Sequence, residues 1–519
     1  MKTIKNQKVK ILLLISGSIA AVRIPLLVSE LVKDNYEVQC VLTKNAEKLI
    51  SPLSMSVLSR NSCILDEDQW KHNQSSPLHI NLCEWADIVI MAPLTATTLS
   101  KWITGNGEGL VSSILIANKK PTIVAPAMNT NMWFNNAIQD NYKKLKSYPN
   151  VLTLYPNEGL LACDQIGIGK IPSNNLIILA IQFILSKNQN FHFNDLAGKN
   201  FLITGGSTSE KIDPARRITN NSSGAMGLLF AQAARFRGAN VTFIHGPLKL
   251  SLGLIDGIKS IEITTSSDLK RVIKDEIENC DYFIMNAAVT DFKLSNKLST
   301  KIPKIDLSKH FLNNFELVPD ILSDLKSLKQ AHQLFMGFCA FTGEFENLKS
   351  IVKKKLEIKG CDLIFANPID IEGQGFGYSS ENEGWLFDKD GMKFYLEKTS
   401  KIDLAKNIIQ VCTLHGKKVT SNVEMSTDEF SLWLAQSKPV TVAFEACSTS
   451  NYWYQQAIKS GHDARLISAK LVKAVRQNQK TDKNDALAIA QTLFLPEVSF
   501  INGKSIEQQQ LQSIQRLRE

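Results

Sequence analysis

Short apolar runs alternate with amphipathic stretches along most of the chain. Residues 1–186 contain the apolar runs KILLLI, EVQCVLT, ADIVIMAP and PTIVAPA, and residues 200–400 contain FLITGG, NVTFIHG, DYFIMNAAV, QLFMGFCAF and DLIFANP. Strands that are apolar throughout are typical of parallel sheets covered by helices on both faces. The pattern therefore predicts two doubly wound α/β domains in tandem.

A third texture begins near residue 401, with the strand VTVAFEAC, two helical stretches and a Gln-rich end. The polar segment 187–199 predicts a linker. We therefore predict domains over residues 1–186 and 200–400 and a shorter α/β tail over 401–519. The junction falls between 401 and 412, because SKIDLAKNII also fits the end of the second domain. The tail stops within a helical pattern, which predicts that it is truncated.

The composition is that of an ordinary globular protein. Of the 519 residues 44% are hydrophobic and 21% charged, and the net charge of +9 is compatible with nucleic acid or phosphorylated substrates. No run reaches the roughly 18 apolar residues of a membrane span. The N-terminal run ILLLIS is followed by a turn and an amphipathic helix, which favours a first strand over a signal peptide. The nine cysteines are scattered and contain no CxxC pair, so we expect neither a disulfide framework nor a structural zinc site. This use of cysteine predicts a cytoplasmic location.

Small, hydroxyl-bearing turns follow three of the predicted strands of the first domain. They contain Ser16, Gly17 and Ser18, then Thr43, and then Thr95. Each turn alone is equally consistent with ordinary strand-to-helix packing. Because ligands of parallel sheets gather at the carboxyl ends of the strands, the three together indicate a phosphate-binding edge.

Two further segments of this domain carry candidate chemistry. Asn129 lies in PAMNTNMW at a strand end, and Cys163 precedes a predicted loop with Gly167 and Gly169. With GSIAA and His79 of HINL, these motifs resemble flavin-dependent phosphopantothenoylcysteine decarboxylases over about residues 8 to 185. Without the motif, a lone histidine or cysteine is more often structural.

The resemblance implies a flavoprotein-type fold and a decarboxylation that uses FMN, bound at the three turns. FMN would oxidise the substrate thiol to a thioaldehyde, and the carboxylate would then leave as CO2. Cys163 on a mobile flap would protonate the resulting enethiol, Asn129 would hold the carboxylate, and His79 would lie beside the flavin. The chain departs from the family pattern at Glu108, before the LVSS helix, and at Asp164, after the cysteine.

The second domain carries GGST after a strand, TNNSSGAMG before a helix, and then AAVTDF and KIPK. Lys355 and Lys359 are four apart and share a helix face, either as a solvated face or as a polyphosphate clamp. The order of motifs resembles that of phosphopantothenate–cysteine ligases, and the resemblance implies a Rossmann-like fold. That resemblance implies that CTP, with Mg2+ on its phosphates, activates the substrate as an acyl-cytidylate. The chain departs from the ligase pattern at Ala225, where a lysine is frequent. Asn220 and Lys301 would stabilise the acyl-cytidylate and the charge developing on it. The nucleotide positions implied are Met285, Asn286, Ala287, Asp291, Lys301, Pro319, Asp320, Ile321, Leu322, Phe338, Lys355 and Lys359.

The tail contains FEACSTSNYWYQQAIKSGHDARLIS and KTDKNDALAIA, which resemble the N-terminal part of Piv-type transposases with an RNase H-like fold. The resemblance implies a magnesium site of four carboxylates, Asp403, Glu445, Asp482 and Asp485, although the serine-bearing domain of that family is not present in this sequence. We expect a fused fragment without recombinase activity.

The sequence thus predicts a bifunctional enzyme of coenzyme A biosynthesis. Its substrates would be 4′-phosphopantothenate, cysteine and CTP, and the resemblances imply a homo-oligomer. Two alternatives remain at this point: a flavin-binding regulatory subunit without catalysis, and a DNA-recombination protein that acts on nucleic acid through its tail.

Overall fold

The computed structural model describes residues 8–71, 76–186, 193–295, 300–301, 303, 314–343, 345–369, 371, 381–415, 430–431, 434–435, 440–446, 450–475, 489 and 500. The chain divides into two compact units, residues 1–406 and 407–519. Within the described ranges, no helix is both long and apolar enough to cross a membrane.

The first domain is built on a six-stranded parallel sheet in the order β3-β2-β1-β4-β5-β6. Its strands are β1 Lys10–Ile15, β2 Glu37–Leu42, β3 Ile64–Leu65, β4 Ile88–Leu94, β5 Thr122–Pro126 and β6 Val151–Thr153. The central strands β1, β4 and β5 are almost wholly buried, which is why their sequences are continuously apolar. The predicted parallel sheet is confirmed.

Helices cover this sheet and turn the chain back between strands. They are α1 Ile24–Lys33, α2 Pro52–Ser59, α3 Leu78–Trp85, α4 Ala96–Thr104, α5 Leu110–Ala117, α6 Thr130–Trp133, α7 Asn136–Lys146 and α8 Asn174–Leu185. Side-chain oxygens cap several N-termini. Asn129 accepts a hydrogen bond from an N–H at the start of α6, and Ser173 does the same for α8.

An antiparallel hairpin stands apart from the main sheet. It consists of β7 Asn157–Leu160 and β8 Ile166–Lys170, with Cys163 in the connecting turn. The loop predicted around Gly167 and Gly169 is therefore wrong, because both glycines lie within β8.

The second domain is built on an eight-stranded sheet in the order β13-β12-β9-β14-β17-β18-β19-β20. Its strands are β9 Asn200–Gly205, β12 Asn240–His245, β13 Lys259–Glu262, β14 Tyr282–Met285, β17 Leu334–Phe341, β18 Leu363–Pro368, β19 Glu381–Asp388 and β20 Gly391–Ser400. The strands from β13 to β18 run parallel, as the buried runs predict, and the last two form an antiparallel extension.

Within the described residues, this domain also has two small antiparallel pairs and five helices. The pairs are β10 Ser209–Asp213 with β11 Arg216–Thr219, and β15 Phe292–Leu294 with β16 Phe315–Leu317. The helices are α9 Ala225–Phe236, α10 Ser266–Glu276, α11 Ile321–Leu325, α12 Phe345–Lys359 and α13 Lys401–His415.

The two domains pack against each other through α8 and α9. Phe183 and Phe236 meet edge to face with ring centroids 5.2 Å apart. The buried Nζ of Lys406 donates to the carbonyl oxygens of Phe183 and Ser186, each at 3.3 Å. Leu196, in the predicted linker, is buried and its N–H donates to the carbonyl of Arg237. Part of that segment therefore belongs to the packed structure.

The second compact unit contains a parallel strand pair, β21 Thr441–Glu445 with β22 Asp463–Ile467, and the helices α14 Ser450–Lys459 and α15 Ala469–Val475. Ile467 and Val472 form its small core, against which Ala443 packs. The predicted α/β content of the tail is present in this described part.

Candidate functional site

The carboxyl ends of strands β1 to β5 of the first sheet surround a cavity of about 470 Å³. Ser16, Gly17 and Ser18 follow β1, Thr43 follows β2 and Thr95 follows β4, and all five line this cavity. The structure thus brings together the residues that the sequence assigned to one phosphate-binding edge.

Hydroxyl groups tie the strand ends at this edge to one another. The buried Ser16 Oγ donates to the carbonyl of Pro93 at 2.6 Å and accepts the N–H of Thr95 at 3.2 Å. The Thr95 hydroxyl in turn accepts the N–H of Thr98 and caps α4. The turns after β1 and β4 therefore form one fixed wall of the cavity.

Gly17 allows the turns after β1 and β2 to meet. A Cβ at this position would lie 2.5 Å from the Cβ of Asn45 and 3.0 Å from its backbone carbon. Both Gly17 and Asn45 line the cavity, so a larger residue at 17 would push its walls apart.

An acidic side chain that sequence analysis did not identify shapes the opposite wall. Asp66 Oδ1 accepts the N–H of Leu110 at 2.7 Å and so satisfies the start of α5. Nearby, Lys101 Nζ lies 2.9 Å from Glu108 Oε2. This ion pair neutralises the carboxylate at the position where the chain departs from the family pattern. No sequence pattern indicates the contact between Asp66 and Leu110, because the two residues are 44 positions apart.

A second cavity of about 560 Å³ shares Ser18, Ala127, Met128 and Asn129 with the first. Its other walls come from the turn after β1 and from the hairpin, and they include Cys163. Two cations that sequence analysis missed, Arg23 and Lys170, also line it. The two cavities therefore adjoin at Asn129.

Asn129 and Cys163 are in contact at this junction. Asn129 Nδ2 donates to Cys163 Sγ at 3.4 Å, whereas Asn129 Oδ1 accepts the N–H of Asn131 at 2.9 Å. The cap at α6 thus fixes which end of the amide faces the sulfur. Cys163 is exposed, in contrast to the buried or half-buried cysteines elsewhere in the described part of the chain.

The hairpin that carries Cys163 is docked closely on the segment that carries Asn129. The Met128 N–H donates to the Gly169 carbonyl at 3.0 Å. A Cβ on Gly169 would lie 2.0 Å from the Met128 carbonyl oxygen, and one on Gly167 would lie 2.3 Å from Thr130 Oγ1. The two glycines therefore allow β8 to pack closely against the segment that carries Asn129.

His79 lies apart from this junction. It is half-buried on α3, and neither cavity, as the described residues line them, includes it. Its role beside the flavin remains a prediction.

In the second domain, the turn after β9 packs against the turn after β14. Thr204 Oγ1 accepts the N–H groups of Asn286 and Ala287 at 3.1 and 3.0 Å, so these two predicted nucleotide positions are held by the sheet itself. Asn220 reaches the same region, because its Nδ2 donates to the carbonyl of Val289 at 2.9 Å.

The remaining predicted nucleotide residues fall into two sets. Met285, Ile321 and Leu322 are buried in the core, and Phe338 is half-buried against Phe230 and Phe365. By contrast, Asp291, Lys301 and Pro319 are exposed, and the neighbours of Lys301 at 302 and 304–313 lie outside the described residues.

Lys355 and Lys359 both lie on α12, as predicted, and face different partners. Lys355 Nζ donates to Cys339 Sγ at 3.2 Å, and Lys359 Nζ lies 3.0 Å from Asp320. Burial by itself raises the pKa of the Asp320 carboxyl, but hydrogen bonds from Lys359 and the Ser323 N–H outweigh burial, and the pKa is lowered. The ion pair fixes Lys359 beside the start of α11.

The carboxylates predicted for the tail are distributed differently. Asp403 belongs to the first unit, where its Oδ2 accepts the hydroxyl of Ser400 at 2.7 Å at the start of α13. Glu445 ends β21 in the second unit, and Asp482 and Asp485 lie outside the described residues. Among the residues described, no group of three metal-ligating side chains occurs.

Three family models match successive parts of the chain. A flavoprotein model matches residues 2–186, a model of the DNA/pantothenate metabolism flavoprotein C-terminal domain matches residues 196–414, and a transposase model matches residues 402–519.

Similar proteins match the first two domains together. The coenzyme A biosynthesis bifunctional protein CoaBC of Vibrio vulnificus is 35% identical over 421 residues, which are 80% of this chain and 100% of that protein. CoaBC of Bacillus subtilis is 34% identical over 403 residues, 77% of this chain and 95% of the relative. Among solved structures, the FMN binding protein AtHal3 is 32% identical over 34% of this chain and 97% of its own, with a TM-score of 0.31.

Proposed function

Because the chain belongs to the family of bifunctional coenzyme A biosynthesis proteins, which have a decarboxylase and a ligase activity, we propose that it joins cysteine to 4′-phosphopantothenate and decarboxylates the product to 4′-phosphopantetheine. The observation that carries the second step is the contact between Asn129 and Cys163 where two cavities meet.

The first cavity fits FMN. Its volume of about 470 Å³ lies in the range of about 300 to 1,000 Å³ that is usual for cofactor sites. Hydroxyls and backbone N–H groups at strand ends suit a phosphate, and the acidic Asp66 and Glu108 on its walls are both partnered. Ser16, Gly17, Ser18, Thr43 and Thr95 would hold the cofactor, which would take two electrons from the substrate thiol before decarboxylation and return them to the enethiol afterwards.

The second cavity fits the substrate. Its cations, Arg23 and Lys170, are suited to the anionic phosphopantothenoyl group. Asn129 binds the substrate carboxylate through its amide N–H groups, of which one donates to Cys163 in this structure. After CO2 leaves, Cys163 gives its thiol proton to the carbon of the enethiol. His79 would complete the group of catalytic residues by lying beside the flavin.

The second domain fits the ligase step, in which CTP activates the phosphopantothenate carboxylate and the cysteine amine displaces CMP. Asn220 is held by the Val289 carbonyl next to the turns after β9 and β14. Lys301 is exposed and available to the developing charge, and Lys355 and Lys359 offer cations along one helix. Mg2+ would bind mainly to the CTP phosphates, which is its usual mode in nucleotide sites.

The four-carboxylate site remains a proposal for the tail. Asp403 takes part in capping α13, and two of its proposed partners lie outside the described residues.

Mass spectrometry of the products tests the proposed function. The full-length chain is incubated with FMN, Mg2+, CTP, cysteine and 4′-phosphopantothenate, with Cys163→Ser as the matched control. We expect the wild-type chain to form 4′-phosphopantetheine. The Cys163→Ser control should release CO2 from the substrate without forming that product. Equal amounts of 4′-phosphopantetheine from both chains would exclude the role of Cys163, and no ligated product from either would exclude the ligase step.

A further inference from the structure

A segment of the ligase domain contacts the base of the hairpin that carries Cys163. This segment, residues 251–257, follows β12 and leads into β13. Its Asp256 Oδ2 accepts hydrogen bonds from Asn157 Nδ2 and, at 3.4 Å, from the N–H of Ser173. The carboxylate thus joins two elements of the decarboxylase domain to the ligase domain.

Asn157 is the first residue of β7 and pairs with Lys170, the last residue of β8. The hairpin has Cys163 at its other end, and Lys170 lines the same cavity as that thiol. A contact at Asn157 therefore fixes the open end of the hairpin, whereas Gly169 fixes its side against Met128.

Charge in the ligase domain supports the position of Asp256. Burial lowers the pKa of Arg235 to about 10, although the neighbouring Tyr142 and Asp256 raise it, so this guanidinium stays charged at neutral pH. A Cβ on Gly257 would lie 2.5 Å from the Arg235 guanidinium, which means that the segment runs directly over the cation. The backbone carbonyl of Asp256 also accepts Gln232 Nε2 at 3.3 Å, so Asp256 lies between its own domain and the hairpin base.

We propose that Asp256 of the ligase domain is a positioning residue for decarboxylation: it holds the base of the hairpin and thereby keeps Cys163 against Asn129. The inference rests on the proposed function of Cys163 as the proton donor. In this chain the ligase domain would therefore contribute one contact that supports the decarboxylase site.

The test measures decarboxylation of 4′-phosphopantothenoylcysteine by full-length Asp256→Ala, Asp256→Asn and Asn157→Ala. We expect kcat to fall between about tenfold and about 100-fold in Asp256→Ala with KM changed less, because a displacement of about 1 Å in a catalytic group has that effect. Asp256→Asn keeps a hydrogen-bond acceptor and should recover most of the loss. Asn157→Ala removes the same contact from the other domain and should match Asp256→Ala.

Alkylation of Cys163 by iodoacetamide, followed by peptide mass spectrometry, reports the hairpin directly. Its rate should rise at least about threefold in Asp256→Ala and Asn157→Ala, and no further in the double variant, because both remove the Asn157–Asp256 contact that holds the hairpin. Ligase activity of each variant should equal the wild type, which shows that the second domain is folded.

Ser251→Ala is the matched control. It removes a hydrogen bond of 2.7 Å from Asn175 Nδ2, a contact between the same two domains that does not involve the hairpin. We expect wild-type decarboxylation and alkylation. Equal losses in Ser251→Ala and Asp256→Ala would overturn the inference, as would wild-type kcat and alkylation in Asp256→Ala. Retained 4′-phosphopantetheine formation by Cys163→Ser would instead refute the proposed function itself.

Discussion

Replacing Gly169 by alanine tests whether the hairpin works as a docked element. The new Cβ would lie 2.0 Å from the Met128 carbonyl oxygen. Carbon and oxygen atoms normally stay about 3.3 Å apart, so β8 must retreat by about 1.3 Å. The retreat stretches the hydrogen bond from the Met128 N–H to the Gly169 carbonyl, now 3.0 Å.

The magnitude follows from these contacts. The lost hydrogen bond costs about 1 kcal/mol and the overpacking about 1 to 3 kcal/mol, so the docked state should lose about 2 to 4 kcal/mol. Because Cys163 moves with β8, kcat for decarboxylation should fall by about 100-fold. The assay follows CO2 release and 4′-phosphopantetheine formation from 4′-phosphopantothenoylcysteine.

Gly159→Ala is the control within the same hairpin. Its Cβ would meet Lys170 Cδ at 3.3 Å, and that flexible side chain can move away. This variant should keep kcat within about twofold of the wild type, and any change should fall on KM, because Lys170 lines the proposed substrate cavity. If Gly169→Ala also stays within about twofold, the hairpin is not held by this approach and the reasoning is refuted.

Three further predictions follow from the described contacts. Burial lowers the pKa of Lys406 to about 7 from 10.5, so the folded state favours the neutral amine. Its contribution to the free energy of unfolding is therefore full above about pH 10.5 and is lost as pH falls through 7. Thermal unfolding of Lys406→Met, measured across this range, should lack that pH dependence. Gly17→Ala forces Asn45 away and should weaken FMN binding at least about tenfold in a titration followed by flavin fluorescence, with unchanged ligase activity as the control. Truncation after His415, the end of α13, should leave both activities within about twofold, and loss of either would show that the tail contributes to the enzyme.

The sequence predicted the parallel sheets because their strands are buried on both faces, and such strands read as continuous apolar runs. It did not predict the antiparallel extension β19 and β20. Their sequences, ENEGWLFD and GMKFYLEKTS, mix polar and apolar residues without a clean period, and β19 has an exposed or half-exposed residue at several positions. Such strands depend on their neighbours in the sheet more than on local pattern.

The parts of the candidate site that lie at strand ends were predictable from the sequence. The parts that depend on close packing between segments distant in the sequence were not. The turns at Ser16, Thr43 and Thr95 follow strands, so their convergence follows from the parallel topology. Gly167 and Gly169 fit mobility and close approach equally well in the sequence. Only the position of the segment Met128–Thr130 distinguishes the two.

Each departure from the family patterns is compatible with its local surroundings in the structure. Glu108 is paired with Lys101 at the cavity wall. Asp164 has φ +57°, a left-handed conformation that aspartate tolerates better than most residues, so the turn after Cys163 keeps its shape without a glycine. Ala225 begins α9 at a buried position, where alanine is the best helix former. Because none of these features displaces Asn129 or Cys163, we expect the chain to retain decarboxylation. Glu108→Ala frees the Lys101 cation at the cavity wall, so it should bind FMN at least as tightly as the wild type in a titration followed by flavin fluorescence.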